Sequence, residues 1–500
     1  MKLNIYIKPV FVLILIMVIT TLPWLGLTDF NTKGEPREAI VAQTMLMQDN
    51  WVLPTNNGGE MAYKPPFFHW CVAAVSAVFG NVGEYSSRFP SAVASIVLVL
   101  WMFLFYSKDE KEKNNKPLFA TLICFTTFEV FRGAYACRVD MVLTLCIVGA
   151  MFAFFSWSEK KNRGVPWFPI LMMSLGTLTK GPVAIILPCA TIGLYMLLRR
   201  ENIFRTFFSL VGCGIVSLIL PACWYYAAYR QGGSEFLELV REENVDRFLG
   251  KMSYSSHENG LWYYFAMLPA GLLPWSLFSI PVLWRCFRKV YTGKIKTPSM
   301  NGVRMRIQSL QEANRMELFS AIAAILVFVF YCIPKSKRGV YILPMYPFVC
   351  YFIASWLMKF YDDKILKRIT CVVIAVYLIA YSAIVPSVLN KKSDIQTARY
   401  IESVVQDAYL TSHITEEASN NPLHFFTINF YLNDRVDVWR KNGPKSDEGY
   451  IIIGEKDAPG FMSRNASYDF TKVEIPPHKS CDIKQVIELY HYQPARSISR

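Results

Sequence analysis

TKGEPREAIVAQTMLMQDNWVLPTNNGGEMAYKPP, residues 32–66, lies between one long apolar run at 10–27 and a series of others from residue 89 onward. It carries Glu35, Arg37, Glu38 and Lys64. Charges are costly in hydrocarbon, so these residues belong to a connector at the membrane surface with spans on either side. The stretch therefore decides the fold class, and its mixed charges make it a candidate reaction site.

Outward from this loop, apolar runs suited to crossing a bilayer fall at 10–27, 89–106, 117–131, 141–157, 165–178, 183–198, 207–229, 261–284, 318–333, 340–358 and 371–389. The expectation is an all-α polytopic membrane domain of about 11 spans, and up to 13 if the short runs divide differently. Composition agrees: 53% hydrophobic and 15% aromatic against 18% charged would leave a soluble domain with a large apolar surface in water. The first run follows Lys2 and Lys8 but ends in Pro23, Trp24 and Leu25 with no small-residue cleavage site, so it reads as a retained helix.

Three regions follow. Residues 28–88 form a large first outer loop, in which 67–79 (FFHWCVAAVSAVF) is short for a span and reads as a helix along the interface. The membrane domain extends over 1–389. Residues 390–500 are more polar, with strand-like runs at 423–431 and 450–453, and are expected to form a small α/β extracytoplasmic domain.

The net charge of +14 is concentrated in connectors. Arg285, Arg288, Lys289, Lys294, Lys296, Arg304 and Arg306 occupy one, and Lys160, Lys161, Arg163, Arg199, Arg200 and Arg205 two others. This is the positive-inside pattern, not a nucleic-acid footprint. It places the N-terminus in the cytoplasm and the C-terminus outside. Eleven of the twelve cysteines lie in or beside apolar runs, and none forms a CxxC pair, so a disulfide framework is not expected.

Cations on the opposite side need another cause. Arg37, Lys64, Arg88, Arg132, Arg138, Lys180, Arg241, Arg247, Lys335, Lys337 and Arg338 all map to outer loops, where an anionic ligand would favour Arg forks and Lys point charges. Contacts with lipid headgroups or salt bridges between loops are the alternative. Glu35 and Asp140 supply carboxylates on the same side, and such a group can deprotonate a hydroxyl within hydrogen-bond reach. Glu38 reads as a first-turn helix residue. Gly181 and Pro182 break a helix beside Lys180, and Lys337, Arg338 and Tyr341 form a similar edge cluster.

Taken in order, these landmarks resemble the GT-C class of membrane glycosyltransferases, in the group of the lipid A aminoarabinose transferases and protein O-mannosyltransferases. The landmarks are Glu35-Pro36-Arg37-Glu38-Ala39, Met45-Leu46, Asn50-Trp51, Lys64-Pro65-Pro66, Asp140, Thr179-Lys180-Gly181-Pro182, Asn244 with Arg247-Phe248, and Lys337-Arg338 ahead of Tyr341, Leu343 and Pro344. They cover roughly residues 1–360. Two positions depart from the pattern: Gly34 stands where many relatives have Asp, and Tyr63 where aminoarabinose transferases tend to have Glu.

The resemblance implies transfer of a sugar from a polyprenyl-phosphate carrier to a lipid or protein acceptor. It implies an inverting single displacement at the extracytoplasmic face of a bacterial inner membrane. Lys64, Arg247, Lys337 and Arg338 would hold the lipid phosphate, with Arg37, Lys180, Asn244 and Tyr341 completing the donor site. Glu35 would orient or deprotonate the acceptor, supported by Asp140. No cofactor is expected to be required, and a divalent metal is left open. The partners are then the lipid-borne donor, the acceptor and membrane lipids, with no nucleic acid. A flippase for a lipid-linked sugar is the alternative, but it calls for ionisable groups deep within spans, and here the charges gather at one face.

Overall fold

The computed structural model describes residues 4–56, 58–108, 115–160, 163–242, 258–291, 314–413, 425–440 and 442–495. In chain order the first part contains α1 (Asn4–Thr21), α2 (Gly34–Met47), a two-stranded hairpin of β1 (Thr55–Asn56) and β2 (Glu60–Met61), α3 (Phe67–Phe79), α4 (Glu84–Tyr106), α5 (Lys116–Phe125), α6 (Phe128–Ala134), α7 (Val139–Ser158), α8 (Trp167–Lys180) and α9 (Val183–Leu198). There follow α10 (Ile203–Ser217), α11 (Ile219–Arg241), α12 (Tyr263–Gly271), α13 (Trp275–Tyr291), α14 (Arg315–Cys332), a 3-10 stretch at Gly339–Met345, α15 (Tyr346–Leu357), α16 (Asp363–Ile379) and α17 (Val385–Leu389).

Among the described residues, six helical stretches are long and apolar enough to cross a membrane, or seven if a bent pair counts as one span. The pair is α12 with the start of α13, bent by 99°. The uninterrupted span expected at 261–284 is therefore a broken one. Pro274 cannot continue the helix, and at Gly271 an added Cβ would lie 1.9 Å from the Tyr346 hydroxyl, so the chain turns against α15. The run at 207–229 lies within one long apolar stretch, Ile203–Arg241, formed by α10 and α11. α7 is the central element, packed on α4, α8 and α9 and 83% buried. At the periphery, α10 exposes Phe204, Phe207, Phe208 and Ile215. Such an apolar stripe fits lipid, not water.

α3 occupies the residues expected of an interfacial helix. Phe68, His69, Val72, Ala73 and Ser76 are buried, while Val78 and Phe79 are exposed. It ends at Gly80 in the left-handed region.

The C-terminal unit adds α18 (Ile395–Val405), β3 (Leu410–Ser412), α19 (Phe426–Tyr431), β4 (Asp437–Val438), β5 (Gly449–Gly454), α20 (Ala458–Arg464), β6 (Tyr468–Val473) and β7 (Ile487–Pro494). Its five strands lie in the order β4-β3-β5-β7-β6, parallel at β4-β3-β5 and antiparallel beyond. One core, with Ile401, Leu410, Ile428 and Leu489, fills one side, and a second, with Trp439, Phe461 and Tyr492, the other. The run 450–453 is strand as expected. The strand-like run at 423–431 instead contains a helix, α19, because Asp482 accepts from the Thr427 backbone N–H and caps its first turn.

Helix direction separates the charges. α7, α8 and α9 each have one end near Asp140, Lys180 or Val183 and the other beside the basic connectors at Lys160, Arg163 and Arg199. With its 20 residues α7 sets these ends about 30 Å apart at about 1.5 Å per residue.

Candidate active site

Two carboxylates on α2 have different surroundings. Glu35 is held, only slightly exposed, in a two-pronged pair with Arg88, Nε to Oε1 at 2.8 Å and Nη2 to Oε2 at 3.2 Å, and it also accepts from the Cys137 backbone N–H at 3.0 Å. Arg88 in turn donates to the Leu25 and Thr28 carbonyls. Burial alone would raise the Glu35 pKa, but the Arg88 charge and hydrogen bonds outweigh it and lower it. Its oxygens are engaged in holding α2 to α4.

Glu38, three residues on, faces a cavity. Oε1 accepts from Lys64 Nζ at 2.8 Å and Arg37 Nη2 at 2.9 Å, and Oε2 lies 3.0 Å from His69 Nε2. Burial opposes ionisation here too, yet Lys64, Arg37 and His69 hold the carboxyl well below the usual range. Arg37 and Glu38 come from α2, Lys64 from the segment after the hairpin, and His69 from the buried face of α3.

The facing wall is built where α7 begins and α8 ends. Lys180, the last residue of α8, donates to Asp140 Oδ1 at 2.6 Å and lies 4.3 Å from the Tyr341 ring centroid. Arg138 immediately precedes α7. Its guanidinium sits so close to Gly34 that an added Cβ there would lie 1.9 Å from Nη2. The departure at position 34 thus makes room for a cation from the next outer loop.

The third wall comes from Phe330 and Tyr331 of α14, then Pro334, Ser336, Arg338, Val340 and Tyr341. Together these walls enclose a cavity of about 450 Å³. Among the described residues that line it, Arg37, Lys64, Arg138, Lys180 and Arg338 oppose Glu38 and Asp140, a surplus of three positive charges. Val183, Ile186, Phe330 and Val340 make part of the lining apolar.

Of the residues singled out from sequence, Arg37, Lys64, Asp140, Lys180, Arg338 and Tyr341 line this cavity. Glu35 does not. Neither does Lys337, which is buried and donates to the Asn259 and Pro334 carbonyls. Asn244 and Arg247 lie outside the described residues, as does Lys294. From sequence, Glu38 takes a first-turn place in the charged motif and Glu35 the catalytic role, Tyr63 stands only as a departure from the aminoarabinose transferase pattern, and nothing signals His69 beyond its nearness to Lys64. Among the described residues no group of three or more His, Cys, Asp and Glu side chains is placed to hold a metal ion.

Such a site can bind an anion against several cations while presenting two ionised carboxylates to a neutral polar group. The apolar lining leaves room for a hydrocarbon tail.

Known proteins agree with this architecture. A model of the dolichyl-phosphate-mannose-protein mannosyltransferase family matches residues 63–226. An uncharacterized protein of Aquifex aeolicus is 25% identical over 344 residues, 68% of this chain and 62% of that protein. The undecaprenyl phosphate-alpha-4-amino-4-deoxy-L-arabinose arabinosyl transferase of Shewanella sediminis is 25% identical over 348 residues, 68% of this chain and 58% of that enzyme. The chain thus spans about six-tenths of the length of these relatives. Among solved structures, ArnT from Cupriavidus metallidurans bound to undecaprenyl phosphate superposes with a TM-score of 0.67 at 16% identity, covering 98% of each chain. Its apo state gives 0.68, also at 16% identity, covering 96% of this chain and 98% of that one. The chain shares the fold of these two ArnT structures over nearly its whole length.

Proposed function

We propose that this chain is a membrane glycosyltransferase that takes a sugar from a polyprenyl-phosphate carrier and passes it to a lipid or protein acceptor. The observation that carries this reading is the cavity in which five cations and two carboxylates meet an apolar lining. A diester-linked sugar donor matches it: the phosphate sits among the cations, the isoprenoid leaves along Val183, Ile186 and Phe330, and the sugar faces the carboxylates. The similar arabinosyl transferases and the ArnT complex with undecaprenyl phosphate support the same donor class.

In the transfer step the acceptor oxygen attacks the anomeric carbon as the bond to the phosphate oxygen breaks, inverting the centre, and the acceptor hydroxyl passes its proton to Glu38, which releases it to water. Negative charge grows on the departing phosphate. Lys64, Arg138, Lys180 and Arg338 stabilise it, since preorganised charges act most strongly where charge develops. Glu38 and Asp140, ionised before the substrate arrives, orient the acceptor hydroxyl and stabilise positive charge on the sugar ring. We assign Glu38 the role at the acceptor that the motif alone gives to Glu35. Side-chain cations supply the charge compensation, so transfer is expected to persist after chelation. We also infer that the cavity is extracytoplasmic, because the basic connectors lie at the other ends of α7, α8 and α9.

Titration of the purified protein with undecaprenyl phosphate and with undecaprenol tests the reading. Saturable binding of the phosphate, lost in Lys64→Ala/Arg338→Ala, is expected. Equal binding of the alcohol would remove the anion from the proposal. Impermeant thiol labelling of Ser446→Cys, but not Lys160→Cys, in a cysteine-free background would place the cavity outside.

A further inference from the structure

The C-terminal unit holds both elements that build one wall of the cavity. The first grip is on α2. Gln43, five residues beyond Glu38 on that helix, donates from Nε2 to Asn433 Oδ1 at 2.8 Å. Phe430 stacks edge-on against Phe30, ring centroids 4.8 Å apart, and the Phe30 backbone N–H donates to the Tyr431 hydroxyl at 3.0 Å. That hydroxyl donates to Glu84 at the start of α4 at 2.6 Å. α19 and Asn433, two residues beyond it, thus tie together the approach to α2, α2 itself and α4.

The second grip is on the hairpin. Gly58, at its tip, has φ +78, and a Cβ there would meet Asp437 Oδ1 at 2.9 Å and the Val438 nitrogen at 3.1 Å. Only glycine lets the tip lie this close to β4. Arg440 Nη2 donates to the Gly58 carbonyl at 3.3 Å. Tyr63 and Lys64 follow directly from this hairpin.

The gripping surface is itself rigidly held. Thr427, in the first turn of α19, donates from its backbone N–H and hydroxyl to Asp482 Oδ2 at 2.7 and 2.6 Å, and it also bonds Asp394. Asp394 is fully buried and further accepts from Ser480 Oγ at 3.0 Å and the Cys481 backbone N–H at 3.1 Å, with His478 Nε2 at 2.7 Å. Asn433 is in the left-handed region at φ +54, which Asn tolerates better than most residues, and this conformation presents its side chain to Gln43.

We propose that the C-terminal unit positions the active site: Asn433 and Arg440 are positioning residues that fix Arg37, Glu38, Tyr63 and Lys64 through α2 and the hairpin. This rests on the reading that the cavity binds a lipid-borne phosphate. A site of charged groups loses much of its effect when supporting residues let it shift by about 1 Å.

The test uses the full-length protein carrying Asn433→Gly, Arg440→Ala, both together, Asn433→Asp, or Lys472→Ala at the far β6–β7 edge as control. Asn433→Gly removes the acceptor but keeps the backbone conformation, and Asn433→Asp keeps both. Undecaprenyl phosphate affinity and amide hydrogen exchange are measured on each, after confirming the unfolding temperature. The double variant should bind roughly tenfold more weakly, the scale of one displaced charge-assisted contact. Exchange should quicken in 35–47 and 58–64 but not in 139–158. Asn433→Asp and Lys472→Ala should match wild type. Unchanged exchange, or quickened exchange with unchanged affinity, overturns the proposal. Should wild type itself fail to bind the phosphate, the functional reading is at fault, and the exchange data alone decide whether the unit holds the wall.

Discussion

Lys180 and Asp140, forty residues apart, meet at 2.6 Å on the rim of the cavity, with the Tyr341 ring 4.3 Å from the lysine ammonium. The carboxylate neutralises a cation that an incoming phosphate would otherwise use. A ligand must therefore compete with Asp140 for Lys180.

Lys180→Ala is expected to weaken undecaprenyl phosphate binding by roughly tenfold or more, since hydrogen bonds to charged groups contribute about 1.5–3 kcal/mol. Asp140→Asn should do the opposite and bind the phosphate more tightly than wild type while transferring sugar more slowly. Calorimetric titration of both variants checks this, and weaker binding in Asp140→Asn would show that the carboxylate supports the ligand directly.

Glu35 and Glu38 should fail in different ways. Glu38→Gln is expected to lower transfer by roughly 10²–10³, as for loss of one preorganised electrostatic group, with a smaller loss of stability because its partners Arg37 and Lys64 stay partly solvated. Glu35→Gln leaves Arg88 buried without its countercharge, a change that typically destabilises by about 3–5 kcal/mol, and should appear as a lower unfolding temperature. A stable Glu35→Gln protein without activity would return the catalytic role to Glu35.

Gly34→Ala places a methyl group where the Arg138 guanidinium now sits. The flexible arginine is expected to swing away, so the protein should fold normally yet bind undecaprenyl phosphate more weakly. Adding Arg138→Ala should then cost little more, because the two changes act on one contact.

The Asp482 carboxyl is pushed up to about 6 from 3.8, chiefly by burial and further by Asp394, against the hydrogen bonds from Thr427. An acid whose folded pKa is raised holds its proton more tightly when folded, so its contribution to stability grows as pH falls through about 6 and levels off near the unfolded value. His413, whose pKa burial lowers, acts in the opposite sense near 6.5. Glu35 and Glu38, both lowered, matter only in more acidic solution. The unfolding temperature of wild type relative to Asp482→Asn should therefore rise from pH 8 to pH 5. A constant difference would mean that Asp482 does not titrate in this window.

Much of the site could be read from the chain. Lys64, Lys180 and Arg338 each sit beside a Pro or Gly break at the end of an apolar run, and such breaks put helix ends at one face of the membrane. Which of two neighbouring residues faces inward could not be read. Glu35 and Glu38 are separated by only about 60° around a helix, and the choice between them is made by Arg88, 53 residues away on α4. Arg338 lies in extended backbone, where adjacent side chains point oppositely, so Lys337 turns to the Asn259 carbonyl instead. The helix at α19 depends on Asp482, more than fifty residues later, and no local pattern announces it.

The pairing of Glu38 with Lys64 and Arg37 bears on how a catalytic cycle ends. In the proposed transfer the spent carrier is a phosphate monoester with more negative charge than the diester it came from, and a pocket of bare cations would retain it. Here Glu38 stands ready to reclaim Lys64 and Arg37, and Asp140 to reclaim Lys180. Such internal exchange limits how tightly the product is held, and turnover gains what ground-state affinity gives up.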